Sequence, residues 1–168
     1  MRSEQRSGLE RTDLTVRPAT ADDADALAQL FTQAREAAYP AMPRPVHDAA
    51  SVRTWFAELL VDRADGSRPT RETWLAERDD VVGYLVLDDV WLDSLYVHPD
   101  HTGQGIGSAL LDLAKVLRPG GFSLYVFESN LPAQAFYARH GLVTVRRTDA
   151  SDNEERAPDL ELAWPPPR

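Results

Sequence analysis

Residues 92–117 read LDSLYVHPDHTGQGIGSALLDLAKVL, and the reading of this stretch decides the fold. An apolar, strand-like run passes through Pro99 into three glycines at alternate positions, Gly103, Gly105 and Gly107, and then into apolar residues at helical spacing. The pattern predicts a strand, a tight turn and a helix. Glycines at such a junction allow bare backbone to approach a ligand, and the free N–H groups together with the positive end of the helix dipole hold an anion. A phosphate-bearing cofactor is the natural occupant. A nucleoside-triphosphate loop needs Lys-Ser/Thr directly after its last glycine, where this chain has Ser108-Ala109. A dinucleotide fingerprint would run Gly103, Gly105, Ser108 and would normally open a domain on its first strand, whereas here roughly ninety residues come first.

Working outward, the preceding segments read as a short strand at 14–18, a capping box at Thr20-Ala-Asp-Asp23 opening a helix that ends near Ala38, and a three-proline loop from Tyr39 to His47. Asp48 is then placed as N-cap of a second helix, on which Val52, Trp55, Phe56, Leu59 and Leu60 repeat at helical spacing. A polar loop from Asp62 to Glu72 leads into strands at 73–77, 81–87 and 90–97. Short turns join them, which forces an antiparallel meander. In the helix after the glycines, Ile106, Ala109, Leu110, Leu113, Val116 and Leu117 are expected on the buried face, with Arg118-Pro-Gly-Gly121 as the stop. A fifth strand at 122–127, reached through a helix, should lie parallel to the fourth by a right-handed crossover. Ser129-Asn130 starts a fourth helix that Gly141 ends, and 142–147 with 158–164 form a closing antiparallel pair around a polar acidic loop. The expectation is one domain over residues 13–165 behind a mobile tail of residues 1–12. Its fold class is α/β, a single mixed, mainly antiparallel sheet of about seven strands flanked by four helices.

Composition narrows the function. The 168 residues contain no cysteine, which excludes disulfides, thiolate nucleophiles and thiolate metal sites. No apolar run approaches the ~20 residues of a membrane span, and the first residues lack a signal-peptide core, so a cytoplasmic protein is expected. The net charge of −9 argues against nucleic-acid binding and favours a cationic partner. His98, Asp100 and His101 crowd one turn beside Pro99 and are read as solvated turn residues; no metal site is expected.

The glycine stretch resembles the cofactor-binding motif of the GNAT superfamily of N-acetyltransferases, Gln/Arg-x-x-Gly-x-Gly/Ala after a Val-x-Pro strand end. Val97, Pro99, Gly105 and Gly107 match it, and Thr102 stands where Gln or Arg is usual. A second segment, NLPAQAFYARHG from Asn130 to Gly141, resembles the superfamily's Asn-x-x-Ala-x-x-Phe-Tyr-x-x-x-Gly signature. The element order β-α-α-β-β-β-α-β-α-β-β is also that of the superfamily, so the likeness runs from about residue 14 to 164.

This resemblance implies acetyl-CoA as co-substrate and an amine as acceptor, small and cationic or carried on a peptide, attacked directly without an acyl-enzyme. By position, Leu95, Tyr96 and Val97 would offer backbone hydrogen bonds to the pantetheine arm. Thr102, Gly103, Gln104, Gly105, Gly107 and Ser108 would surround the diphosphate, and Asn130 would contact the arm. Tyr137 falls where many members keep a general acid for the departing thiolate; its reference pKa of ~10 against ~8.5 for a thiol means that the phenol arrives protonated. For the base that deprotonates the amine the residues leave Glu128, Asp93 and Glu77 open, with Glu128 taken first, and water relayed through backbone carbonyls with no dedicated side chain stands equally open; Trp91 and Tyr125 occupy the positions where several members of the superfamily carry a glutamate. The acceptor's identity would be set by the loops at 39–47, 62–72 and 148–157, with Trp55, Trp74 and Trp91 as core or pocket wall. The oligomeric expectation is a monomer or a homodimer. The alternatives are a non-catalytic CoA- or nucleotide-binding regulatory module, or a dinucleotide-binding oxidoreductase.

Overall fold

Alternating and helical apolar periods translate into seven strands and four helices in the computed structural model, which describes residues 13–61 and 71–165. The expected tail at 1–12, most of the 62–72 loop and the last three residues lie outside the described residues. The elements are β1 (Thr15–Pro18), α1 (Ala24–Ala38), α2 (Ala49–Leu59), β2 (Arg71–Glu77), β3 (Val81–Asp88), β4 (Trp91–Val97), α3 (Ile106–Leu117), β5 (Phe122–Phe127), α4 (Leu131–Arg139), β6 (Val143–Arg147) and β7 (Asp159–Trp164). Short 3₁₀ turns precede α1 at Ala21–Asp23 and follow β4 at Pro99–His101.

The capping box forms as the sequence predicts: the Thr20 amide donates to Asp23 Oδ2 at 2.8 Å, and Arg17 grips the same carboxylate with both terminal nitrogens at 2.9 Å. Asp48 caps α2 by accepting from the Ser51 amide at 2.8 Å. Asn130 caps α4, accepting from the Ala133 amide at 3.3 Å.

The strands form one sheet in the order β1-β2-β3-β4-β5-β7-β6. All neighbours are antiparallel except β4 and β5, which the α3 crossover makes parallel. The closing pair is present, with β7 inserted between β5 and β6. Helices α1 and α2 cover one face, where Leu27, Leu30 and Phe56 meet Leu75, Tyr84 and Val86. On the other face α3 and α4 cover Leu85, Leu87, Leu124 and Val126. Burial of some two dozen apolar side chains at ~25 cal/mol per Å2 is the main favourable contribution.

Two details differ from expectation. On α3 the buried face runs through Ile106, Leu110, Leu111 and Ala114, while Val116 is 75% exposed. The helical period places Val116 off the row through Ile106, Leu110 and Ala114 that meets the sheet, and Gly83 lets that row approach β3 closely, since a Cβ there would stand 2.9 Å from Ile106 Cγ2. The second difference is in β4. Val86 pairs with Ser94 but Leu87 pairs with Leu92, so Asp93 is an extra residue, a β-bulge. The tryptophans Trp55, Trp74 and Trp91 are all partly buried.

Candidate active site

The single rung of β4 with β5 joins Trp91 to Ser123, and beyond it the two strands part. The bulge at Asp93 falls two residues past that rung, where it breaks the regular course of β4. Between the strands lies a cavity of about 420 Å3 whose walls include Leu95, Tyr96, Leu124, Val126, Asn130 and Tyr137. A second cavity of about 910 Å3 opens against α1 and α2, walled by Phe31, Arg35, His47, Trp55, Phe56 and Glu58 among others. Asp93, Ser94, Tyr96, Glu154 and Glu155 belong to both. The two spaces therefore meet at the bulge.

At the end of β4 the glycine loop takes the conformation its composition predicts. Gly103 and Gly105 have φ of +73° and +82°, a region that favours glycine, and no atom lies within 4 Å of where a Cβ would stand on either. Among the described residues no carbonyl or side chain accepts from the amides of residues 102–108, and Gly105, the N-cap of α3, has no side-chain cap. Free amides, open space and a helix N-terminus fit a diphosphate.

The side chains around the loop are less free than its backbone. Thr102 donates to the Pro99 carbonyl at 3.1 Å. Gln104 accepts from Arg78 Nη1 at 2.5 Å. The Ser108 hydroxyl lies 2.9 Å from His140 Nε2, and the other ring nitrogen is 2.8 Å from the Phe136 carbonyl; a carbonyl only accepts, so Nδ1 carries the hydrogen. Ser108 thus has its amide, and not its hydroxyl, left for an anion. Gly107 packs under the Phe136 ring, 3.4 Å from its would-be Cβ, which ties the loop to α4.

Tyr137, on α4, is 8% exposed and faces the cleft. Burial pushes its phenol well above the ordinary tyrosine range, so it stays protonated. Tyr96 is also raised by burial and makes edge contacts with Phe31 at 5.4 Å. Of the residues expected around the arm, Leu95, Tyr96, Asn130 and Tyr137 line the cleft, and Val97 continues β4 toward the glycine loop.

The candidate bases separate clearly. Glu128 accepts from Arg147 Nε at 2.8 Å, its side chain is 42% exposed, and it lines neither cavity. The structure does not bring Glu128 to the cleft, because its place one residue beyond β5 turns it toward the edge strand β6. Glu77 is held by Arg17 at 3.0 and 3.1 Å, on the β1–β2 side of the sheet. Asp93 lines both cavities. The residue itself is exposed at the bulge, and partial desolvation of its carboxyl by the cleft walls raises it above the ordinary carboxylate range, with Arg71 opposing the effect and Asp88 adding to it. Trp91 and Tyr125, which stand where the resemblance led one to look for glutamates, stack with ring centroids 5.0 Å apart, and Tyr125 lines the cleft.

The loop between β6 and β7, expected from the sequence to help set the acceptor, lines the cleft, but sequence reasoning missed the contacts that hold it there. Asp152, Asn153, Glu154 and Glu155 line the cleft, held by buried Asp159, which accepts from Thr148 and, at 3.0 Å, from Asn153. Glu155 pairs with buried Arg35 at 3.1 Å and Glu154 with His47 at 2.7 Å, so this loop is tied to α1 and to the proline loop. The acidic run at 152–155 was visible, but its partners lie more than a hundred positions away.

A strand pair parting at a bulge, with a glycine turn of free amides at its mouth, is the setting for comparison with known proteins. The description "Acetyltransferase (GNAT) family" matches residues 25–142. The chain belongs to that family. It is 34% identical to a peptidyl-lysine N-acetyltransferase, YjaB, of Salmonella typhimurium over 99 residues, 58% of this chain and 68% of the relative. The Escherichia coli protein of the same name is 31% identical over 120 residues, 70% of this chain and 80% of the relative. A Thermoplasma acidophilum PaiA N-acetyltransferase solved in complex with coenzyme A shares the fold, with TM-score 0.67 at 17% identity over 90% of this chain and 98% of that one. As a GNAT enzyme the protein transfers the acetyl group of acetyl-CoA to an amine. The regulatory-module and oxidoreductase alternatives fall away. Among the described residues no group of His, Cys, Asp or Glu could hold a metal ion, and no helix is long and apolar enough to cross a membrane.

Proposed function

We propose that the acceptor is a cationic primary amine, free or on a peptide, that enters through the larger cavity and meets the thioester at the Asp93 bulge. The observation that carries this reading is the junction of the two cavities at Asp93, Ser94, Tyr96, Glu154 and Glu155. Asp48, Glu58 and the two loop glutamates outnumber Arg35 and supply negative potential, and the partly exposed rings of Phe31 and Trp55 suit an ammonium group. The peptidyl-lysine activity in the printed names of the two YjaB relatives agrees with such an acceptor. Acetyl-CoA itself supplies an activated acyl thioester.

In this reading the amides of residues 102–108 hold the diphosphate, with Gly103, Gly105 and Gly107 giving the room. The edge of β4 at Leu95, Tyr96 and Val97, unpaired with β5, holds the pantetheine arm together with Asn130 and polarises the thioester carbonyl. Asp93 takes the ammonium proton, directly or through one water, and frees the nucleophile; its raised carboxyl makes it a stronger base than an ordinary aspartate. Glu128 has no part in the chemistry. Tyr137 donates its O–H toward the departing sulfur. A phenol is a weaker acid than a thiol, so its contribution is a hydrogen bond that strengthens as charge gathers on sulfur in an apolar cleft. Attack is direct, consistent with the absence of cysteine from the chain. A cytoplasmic setting goes with this co-substrate.

The test is a panel of amines, comprising polyamines, free amino acids, aminoglycosides and lysine- or N-terminus-bearing peptides, incubated with acetyl-CoA while free thiol is read. Cationic acceptors should turn over and neutral amines of equal size should lag. A preference for acidic or neutral acceptors would overturn the acceptor assignment.

A further inference from the structure

The loop that is to hold a polyanion carries no cation of its own. From His98 to Ala114 there is neither lysine nor arginine, in a chain of net charge −9. The position where the superfamily motif has Gln or Arg is Thr102, whose hydroxyl is turned back to Pro99. The guanidinium at the loop comes instead from the β2–β3 turn. The Arg78 amide donates to the Asp80 carbonyl at 3.1 Å, which fixes that turn, and Arg78 Nη1 donates to Gln104 Oε1, between Gly103 and Gly105. Gln104 Nε2 reaches back to the Asp100 carbonyl at 3.4 Å.

A second observation concerns satisfaction. Arg78 Nε is buried and without an acceptor, and His101 Nδ1, in the 3₁₀ turn that leads into the loop, is buried without a hydrogen-bond partner. Both orphan nitrogens lie on segments that converge on the glycines. An arginine N–H does not deprotonate, so leaving it unpaired is costly unless an acceptor arrives from outside. A neutral glutamine amide is a weak partner for a guanidinium. A phosphate oxygen pair matches its fork and its charge.

We propose that Arg78 is a cofactor-binding residue, exchanging Gln104 for phosphate oxygens of CoA and supplying from a neighbouring turn the cation that the glycine loop lacks. This rests on the reading of the loop as the diphosphate site. It adds a specificity element: Arg78 should make the enzyme prefer phosphorylated CoA over bare pantetheine.

The experiment is calorimetric titration of the full chain, as wild type, Arg78→Ala and Arg78→Lys, with CoA, dephospho-CoA and pantetheine. Arg78→Ala is expected to weaken CoA at least about tenfold while pantetheine affinity stays within about twofold, and Arg78→Lys should fall between. Equal losses for CoA and dephospho-CoA would put the contact at the diphosphate; a loss for CoA alone would put it at the 3′-phosphate, and either supports the proposal. Unchanged CoA affinity in Arg78→Ala, or equal losses for CoA and pantetheine, would overturn it. Because Arg78→Lys retains a cation at the turn, a result of full CoA affinity there with none in Arg78→Ala would keep the charge and discard the fork. Wild-type protein that binds pantetheine and CoA equally would instead overturn the diphosphate site itself.

Discussion

Replacing Gly105 by alanine separates the two properties attributed to the glycine loop, left-handed backbone and open space for a ligand. At φ +82° an L-residue costs about 1–2 kcal/mol, and nothing lies within 4 Å of the new methyl to add a clash or a contact. For a chain of this size that corresponds to a fall in Tm of about 2–8 °C. Gly141, which ends α4, has φ +83° and an equally empty surround, so Gly141→Ala should lower Tm by the same amount. The ligand distinguishes them. At Gly105 the methyl projects from the N-cap of α3 into the space assigned to the diphosphate, and CoA affinity should fall at least about tenfold. At Gly141 it should stay within about twofold. Thermal melts of the two variants without ligand, followed by calorimetric titration with CoA, read both quantities. If Gly105→Ala and Gly141→Ala bind CoA equally well, the amides between residues 102 and 108 do not face the diphosphate and the site reasoning fails. If neither variant melts lower than wild type, the strain argument fails instead.

Gly83→Ala should destabilise by about 1–3 kcal/mol in urea titration, since its methyl would meet Ile106 Cγ2 at 2.9 Å, Leu110 Cδ1 at 3.1 Å and the Tyr96 carbonyl at 3.2 Å, and a backbone oxygen has little room to yield. Tyr137→Phe should lower kcat at least about tenfold with CoA affinity unchanged; undiminished turnover would mean that the phenol's hydrogen bond does not stabilise the departing sulfur. Asp93→Asn should remove the acidic limb of the kcat/KM profile, which in the wild type lies above the ordinary carboxylate range because the cleft walls partly desolvate that exposed carboxyl. The same substitution should leave stability at neutral pH equal or higher. A carboxyl whose pKa is higher in the folded chain favours the fold below its unfolded pKa and loses that contribution as pH rises through the folded value. A variant both slow and less stable at pH 7 would contradict this account of Asp93.

Much of the fold was legible because its signals are local. The capping box at Thr20, the N-cap at Asp48, the glycine turn and the apolar periods all act within a few residues of themselves, and each element appears where they place it. The candidate site was legible only where it is made of such signals, namely the glycine loop and the α4 segment with Asn130 and Tyr137. Glu128 illustrates the opposite case. It sits at the expected strand end, yet Arg147 on a strand added later in the chain takes its carboxylate, and cross-strand neighbours leave no local trace. The Asp93 bulge depends on how β4 registers against β3, one residue out of step, and the β6–β7 loop reaches the site through Arg35 and His47. Those contacts exist only once the sheet is built.

The same physics explains why the cleft opens where it does. A crossover through α3 makes β4 and β5 the only parallel neighbours among the described strands, and parallel pairing is the weaker ladder. The bulge then adds a residue to β4 on the partner's side of the first rung, so a second rung would require β5 to follow a bend it does not share. Parting the strands leaves backbone N–H and C=O groups of β4 beside Leu95, Leu124, Val126 and Ala133, an apolar setting in which unpaired amides are costly. In the proposed site an extended thioester arm with amides of its own would offer those groups the partners that β5 withholds. Arg35 counters the resulting slackness: buried between the Phe31 and Phe127 rings, it donates to the Pro43 carbonyl and to Glu155, and so clasps α1, the proline loop and the β6–β7 loop around the open end of the sheet. The proposed binding site is thus a ladder left unfinished at one rung, with the rest of the fold arranged to keep it from closing.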